Sequence, residues 1–332
     1  MAREIAEIPA AAERFMRSRG IIAEVAAKVA AYQPGLVIFC GRGSSGHAGV
    51  YLRYVVETRL GLMTSAAAPS LATIYDAQPN MADALFVTVS QSGRSPDLVA
   101  ATEMARKQGA LTLAIVNDVA SPVALASELV LPIEAGPERA VAATKTVALS
   151  MLAGARLVAA IARDDGLATA LDGMPERFAA VMNGDWSAWQ NALASAPVGF
   201  AAGRGYAFGP AREIALKLME TLRIPALGFS TAELRHGPRA ALGPSTPVLI
   251  LRQNDGTAAG ADVLADDLRA DGIPVFVAGG TRSDLPWIGD RDPICDPIAM
   301  LLPAYKALEG AARARGFDPD HPPHLSKVTR TL

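Results

Sequence analysis

The chain has 332 residues, 51% of them hydrophobic and 19% charged, with a formal net charge of −2. That length accommodates one large or two medium domains with a sizeable core, and the lack of a basic block argues against a nucleic-acid partner. No uninterrupted apolar run reaches about 18 residues, which argues against a membrane span, and MAREIAEIPAAAERFMRSRG lacks a signal-peptide apolar core, so a cytoplasmic location is expected.

After an N-terminal helix, GLVIFCGRGSSGHAG (35–49) predicts a buried strand at Leu36–Cys40, a glycine-rich turn and a helix. LFVTVSQSGRSPDLVAATEMARKQG (85–109) has the same order, and LTLAIVND (111–118) and ELVLPIEAG (128–136) supply further strands. Strands alternating with helices at this spacing predict parallel βαβ units. The stretch 166–196, with Trp186 and Trp189, reads as a helical connector. VGFAAGRGYAFGPAREIALKL (198–218), PVLILRQNDG (247–256) and IPVFVAGG (273–280) then repeat the first plan. Gly41-Arg42-Gly43 and Gly203-Arg204-Gly205 are 162 residues apart, as are Gln91 and Gln253. Several matches at one offset point to internal duplication.

The expected fold is therefore α/β, with two tandem doubly wound parallel-sheet lobes. The expected division is 1–165 for the N-terminal helix and first lobe, 166–196 for the connector, 197–315 for the second lobe, and 316–332 for a tail. Cys40 and Cys295 are the two cysteines and the four histidines include a close pair, His321 and His324. These make neither a disulfide framework nor a zinc site, and no metal or cofactor is expected.

The lobes differ in their strand-to-helix turns, where ligands of open parallel sheets bind. The first lobe places Ser44, Ser45, Ser90, Gln91, Ser92 and Ser95 there; the second places Tyr206, Ala207, Arg252, Asn254 and Asp255. Hydroxyls and N–H groups at helix N-termini suit a phosphate, so only the first lobe reads as a phosphate cradle. Ser92 or Ser95 capping the next helix is the alternative reading. ERAVAATKTVALSML (138–152) is a second hydroxyl-rich helix start. No GxxxxGK[ST] pattern accompanies these turns and GRGSSG lacks the dinucleotide spacing, so a phosphorylated small molecule fits best.

In AREIALKLMETLR (211–223), Ala211, Ile214, Ala215, Leu218 and Leu222 form a helical stripe to be buried. Glu213, Lys217 and Glu220 fall within about 60° along one flank of that stripe. They read either as ordinary i,i+4 pairing, worth roughly 0.2–0.5 kcal/mol, or as chemistry. His236 follows sixteen residues after Glu220 in STAELRHGPRAAL (230–242), as a structural histidine or an acid/base. Lys327 lies near the C-terminus in HLSKVTRTL, where Leu325 and Val328 are available to dock the tail.

EIAEIP, SQSGRSPDL, ERAVAATKT, GRGYAFGPAREIALKLMET, AELRHGP and LSKVT together resemble the sugar-isomerase (SIS) family across nearly the whole chain. The likeness is to the isomerase half of glucosamine-6-phosphate synthase and to its stand-alone relatives. The resemblance implies flavodoxin-like lobes. It also implies that Ser44, Ser45, Ser90, Gln91, Ser92 and Ser95 hold a sugar phosphate, with Val141 and Thr144 lining the pocket. Glu220 would move the proton between C1 and C2, and Lys217 would support the intermediate's charge. His236 would open the ring from the neighbouring subunit of a homodimer, and Lys327 would sit against the sugar carbonyl. Such chemistry needs a base held near the α-carbon, an imidazole titrating near neutrality and a cation at the developing oxyanion.

Two departures are visible: the first turn is two residues longer than the synthase pattern, and Ala143 stands where serine is expected. The chain opens at the isomerase region without a glutaminase segment. The resemblance therefore implies an isomerising deaminase converting glucosamine 6-phosphate to fructose 6-phosphate and ammonia. The alternatives are a synthase-type aminotransferase lacking its own glutaminase, a galactosamine-6-phosphate deaminase and a fructosamine-phosphate deglycase. A non-catalytic sugar-phosphate sensor is the alternative of another class.

Overall fold

The computed structural model describes residues 1–289 and 292–327. Val328 of the expected tail contact lies outside these residues. Two compact units emerge, and neither is a single stretch of chain.

The first unit comprises Ala10–Glu138 and Lys145–Asp172, with Ser326 and Lys327. Its strands are β1 (Leu36–Cys40), β2 (Met63–Ala66), β3 (Ala84–Ser90), β4 (Leu111–Val116) and β5 (Leu129–Pro132). They form a wholly parallel sheet in the order β2-β1-β3-β4-β5, the flavodoxin-like arrangement. β3 is buried throughout, as expected of a strand covered by helices on both faces. Alternation divides its side chains between layers. Phe86 packs with Leu98 and Ala101 of the helix Pro96–Lys107, while Leu85 and Val87 face Leu52, Leu157 and Val158.

The helix Lys145–Ala162 has the length and hydropathy of a membrane span, yet 78% of it is buried inside the protein, as befits a core helix. It crosses the helix Gly43–Leu60 closely: a Cβ on Gly154 would lie 2.4 Å from Leu52 Cδ2, so only glycine fits.

The second unit comprises Met1–Pro9, Arg139–Thr144 and Gly173–Leu325. Its strands β6 (Gly199–Gly203), β7 (Ala226–Phe229), β8 (Val248–Leu251) and β9 (Val275–Ala278) pair in parallel in the order β7-β6-β8-β9. This matches the first four positions of the other sheet, as duplication predicts. The helix Phe208–Lys217 packs on β6 and β7, and the helix Ala258–Ala270 supplies Leu264 and Leu268 to the core with Val248 and Ile250. The connector helices Met174–Val181 and Ser187–Leu193 pack against the long helix Cys295–Ala314. Arg177 ties that layer together, with Nη2 2.5 Å from Asp296 Oδ1 and both side chains nearly inaccessible.

Boundaries at 165/166 and 196/197 do not coincide with the places where the chain changes unit. Residues 1–9 join the second sheet's unit because Glu4, 2% exposed, accepts hydrogen bonds from the backbone N–H groups of Arg139 and Ala140. The helix Asp165–Asp172 stays with the first sheet, where Asp172 pairs with Arg19 and Arg156.

Candidate active site

In the first sheet, β1 bonds to β2 on one side and to β3 on the other. The connections leaving β1 and β3 therefore diverge, and a crevice opens beyond their carboxyl ends. In register, Cys40 faces Thr88, so the turns that follow run out side by side. Ser44 and Ser45 lie in the first turn of the helix Gly43–Leu60, both half-buried. Ser90 ends β3, and its Oγ accepts the Gly93 N–H at 3.0 Å. Gly93 has φ of +61°, and a Cβ there would fall 2.1 Å from Ser121 Oγ, so the turn requires glycine.

Gln91 and Ser92 are half-buried in this turn, and Ser92 Oγ accepts the Arg94 N–H at 3.3 Å. Ser95 occupies the N-cap of the helix Pro96–Lys107, but its hydroxyl makes no capping bond, so the capping alternative is not used there. The six predicted residues thus converge on one crevice. Cys40, at the foot of that crevice, is a buried free thiol. Burial, reinforced by the nearby Asp97, pushes its pKa up to about 12, leaving it unreactive at neutral pH.

The second sheet has an equivalent switch point between β6 and β8, where the protein's own side chains bond to the turns. Gln253, 1% exposed, accepts the Ala207 N–H at 2.8 Å and donates to Asp255 Oδ2 at 2.6 Å. Arg252 is bound to Asp262 at 3.1 Å. Gln253 repeats Gln91 in sequence but is buried and bonded to its turn, whereas Gln91 is half-buried.

Beside the first sheet, a carboxylate that sequence reading passed over organises the segment before Lys145–Ala162. Glu138, inside ERAVAATKT, is buried. Its Oε1 accepts the Thr146 N–H at 3.0 Å, and its Oε2 accepts the Thr146 hydroxyl at 2.7 Å. The same Oε2 lies 3.0 Å from Lys327 Nζ. An acid eight residues before a helix-starting threonine was the available signal. Within the other unit, Val141 is half-buried with its N–H on Asp320 O at 3.3 Å, and Thr144 is fully buried.

In the second unit, Glu213, Lys217 and Glu220 form one cluster. Lys217 and Glu213 are wholly buried and 3.3 Å apart. The i,i+4 pair read from the sequence is present, with both of its side chains turned to the interior rather than to water. Tyr305 donates to Glu213 at 3.3 Å, and Lys217 donates to Glu220 Oε2. A π-helical turn, Leu218–Leu222, carries Glu220 and leaves its carboxylate 18% exposed. Such turns re-aim side chains and are frequent at functional sites. For Lys217, burial favours loss of the proton. The two carboxylates and their hydrogen bonds outweigh it and move the pKa above the usual lysine value.

His236 lies apart from this cluster in hydrogen bonding, exposed in the turn after the helix Thr231–Leu234. The flanking basic residues staple this turn to the helix Ala258–Ala270: Arg235 reaches Asp267 at 3.0 Å and Arg239 reaches Asp271 at 2.5 Å. Exposed ion pairs are screened by solvent and add little stability, so these pairs fix the turn's position more than the stability.

The fold and these clusters define an α/β protein with two parallel sheets, each with a switch point at its strands' carboxyl ends. The SIS domain family matches residues 32–160 and 193–278, and the chain belongs to that family. It is 31% identical over 330 residues to a glutamine–fructose-6-phosphate aminotransferase (isomerizing) from Symbiobacterium thermophilum, covering 91% of this chain and 52% of the relative. The chain spans about half the length of the curated relatives it matches. A candidate phosphosugar isomerase from Silicibacter pomeroyi superposes with a TM-score of 0.92 at 40% identity, covering 96% of this chain and 98% of that one. A glucosamine-6-phosphate deaminase from Thermotoga maritima shares the fold, with a TM-score of 0.81 at 23% identity over 99% of both chains.

The buried cluster generates a stability prediction. Lys217→Met strands Glu213 and leaves Glu220 unpaired, which should cost about 3–5 kcal/mol in urea unfolding. Because the folded-state pKa of Lys217 lies above its ordinary value, its stabilisation is complete below about pH 10.5 and fades as pH rises through the folded value. Wild-type midpoints should therefore show a loss above pH 10.5 that is missing from Lys217→Met.

Proposed function

We propose that the chain is a sugar-phosphate isomerase that deaminates glucosamine 6-phosphate to fructose 6-phosphate. The observation that carries this reading is the carboxylate of Glu220, partly exposed on a π turn and held by a fully buried lysine. A base so placed keeps its aim while remaining able to reach a substrate. In the reaction, the phosphate sits in the β1/β3 crevice on Ser44, Ser45, Ser90, Gln91, Ser92 and Ser95, with Val141 and Thr144 lining the pocket. His236, supplied by the partner of a homodimer, opens the ring.

Glu220 then removes the C2 proton of the open-chain aldose, giving an enolamine across C1 and C2, and returns the proton to C1. The resulting C2 iminium takes up water to give a carbinolamine, whose C–N bond breaks to release ammonia and leave the ketose. Lys217 positions Glu220 through their hydrogen bond, and Lys327, set on Glu138, places a cation against the oxygen where charge develops. This direction consumes only water, so a single chain type suffices to test it. The names of the 31%-identical relatives favour a second reading, amination of fructose 6-phosphate, which would use the same proton transfer in reverse.

Ammonia release from a panel of amino-sugar phosphates tests the proposal. Glucosamine 6-phosphate should give the highest kcat/KM, and Glu220→Gln should lower kcat by about 10²–10⁴-fold with little change in KM. Formation of glucosamine 6-phosphate from fructose 6-phosphate and ammonium, without ammonia release, would favour the second reading. Neither activity on any member of the panel would sink both.

Mixing Glu220→Gln with His236→Gln subunits tests the placement of His236. If the histidine serves the neighbour, mixed dimers regain activity that both parents lack. If it serves its own chain, every site remains defective and no activity returns.

A further inference from the structure

Arg42 stands between the two glycines of a turn that duplication repeats in both lobes, and none of the roles above uses it. The turn places it tightly. A Cβ on Gly41 would lie 2.9 Å from the Ser45 carbonyl carbon, and Gly43 has φ of +49°. Arg42, extended at φ −117° and ψ 154°, is the N-cap residue of the helix that carries Ser44 and Ser45.

Its Nε donates to Asp97 Oδ2 at 2.8 Å. Asp97 is 2% exposed and sits in the first turn of the helix that follows Ser95, with its Oδ1 accepting the Leu98 N–H. The Arg42 side chain is 53% exposed. A guanidinium has five N–H donors, and among the described residues the Nη groups of Arg42 make no hydrogen bond. One edge of the guanidinium is thus fixed while the other is open.

Charge gives this arrangement a direction. A buried carboxylate at the lip of a phosphate crevice repels a dianion, and a paired arginine cancels that repulsion while adding donors of its own. The second lobe lacks the arrangement. Arg204 has the same extended N-cap backbone, at φ −125° and ψ 154°. The residue 162 positions after Asp97, however, is Ala259, and Arg204 is exposed without a hydrogen-bond partner among the described residues. The anchored arginine therefore accompanies the hydroxyl-lined crevice, and its absence accompanies the switch point where Gln253 is bonded to its turn.

We propose that Arg42, oriented by Asp97, binds the substrate's phosphate through its Nη groups and selects phosphorylated sugars in their dianionic form. The inference rests on the β1/β3 crevice being the phosphate site.

Calorimetric titration with inorganic phosphate and with the sugar phosphate, set beside steady-state kinetics and melting curves, tests it. Arg42→Met should weaken both ligands about ten- to hundredfold, the loss of a charge-assisted hydrogen bond, and raise KM equally while leaving kcat nearly unchanged. Arg42→Lys should fall between the two. Asp97→Asn, which releases the guanidinium but keeps the side-chain shape, should raise KM by a smaller factor. Unchanged phosphate affinity and KM in Arg42→Met, with only a lower melting temperature, would reduce Arg42 to a strap between two turns and overturn the proposal. If the wild type binds the sugar phosphate but Ser44→Ala, Ser45→Ala and Ser92→Ala leave its affinity intact, the crevice reading fails and this inference falls with it.

Discussion

Parallel pairing of β1 on both its edges is the constraint from which the site descends. With β2 on one side of β1 and β3 on the other, the connections leaving β1 and β3 run in opposite directions. The gap this leaves at the carboxyl ends exposes helix N-termini whose N–H groups have no intrahelical acceptor. Around that gap the sequence concentrates residues that tolerate it: glycines at 41, 43 and 93 for the tight turns, serines for hydrogen bonding, and Arg42 with Asp97 to bind the two turns together.

Duplication created the same gap twice, and the copies diverged in opposite ways. In one, small hydroxyl side chains leave room for a ligand. In the other, Gln253 and Asp255 satisfy the turn's donors from within, and the helix Phe208–Lys217 beside it carries the ionisable cluster. Burying Lys217 between two carboxylates is costly unless every partner is in place, so this cluster specifies geometry more than it adds stability. Its benefit lies in Glu220, whose carboxylate is aimed by a turn that ordinary helical periodicity would not produce.

How legible this was in the sequence depended on burial. β1, β3, β4, β6 and β8 were readable because interior parallel strands are continuous apolar runs, and the edge strands β5 and β9 because their sequences are apolar runs too. β2 (MTSA) and β7 (ALGF) were not, since they are short, largely uncovered edge strands that only their partners define. The crevice serines were visible as turn residues after buried strands. The depth of Glu213 and Lys217 was hidden, because charged residues at helical spacing look the same whether their flank meets water or protein. Glu138 escaped notice because its partners, Thr146 and Lys327, are respectively near and very far in sequence. Arg235 and Arg239 flank His236 in the sequence, and the fold uses them as staples to Asp267 and Asp271.

The central claim is that Glu220 moves a proton between C2 and C1 of a sugar phosphate. The most direct measurement follows the label from glucosamine 6-phosphate deuterated at C2, by NMR and mass spectrometry of the ketose formed. The account predicts that deuterium leaves C2 at the rate of turnover, appearing at C1 or in water, and that Glu220→Gln stops both. Retention of the label at C2 while the substrate is consumed would contradict it.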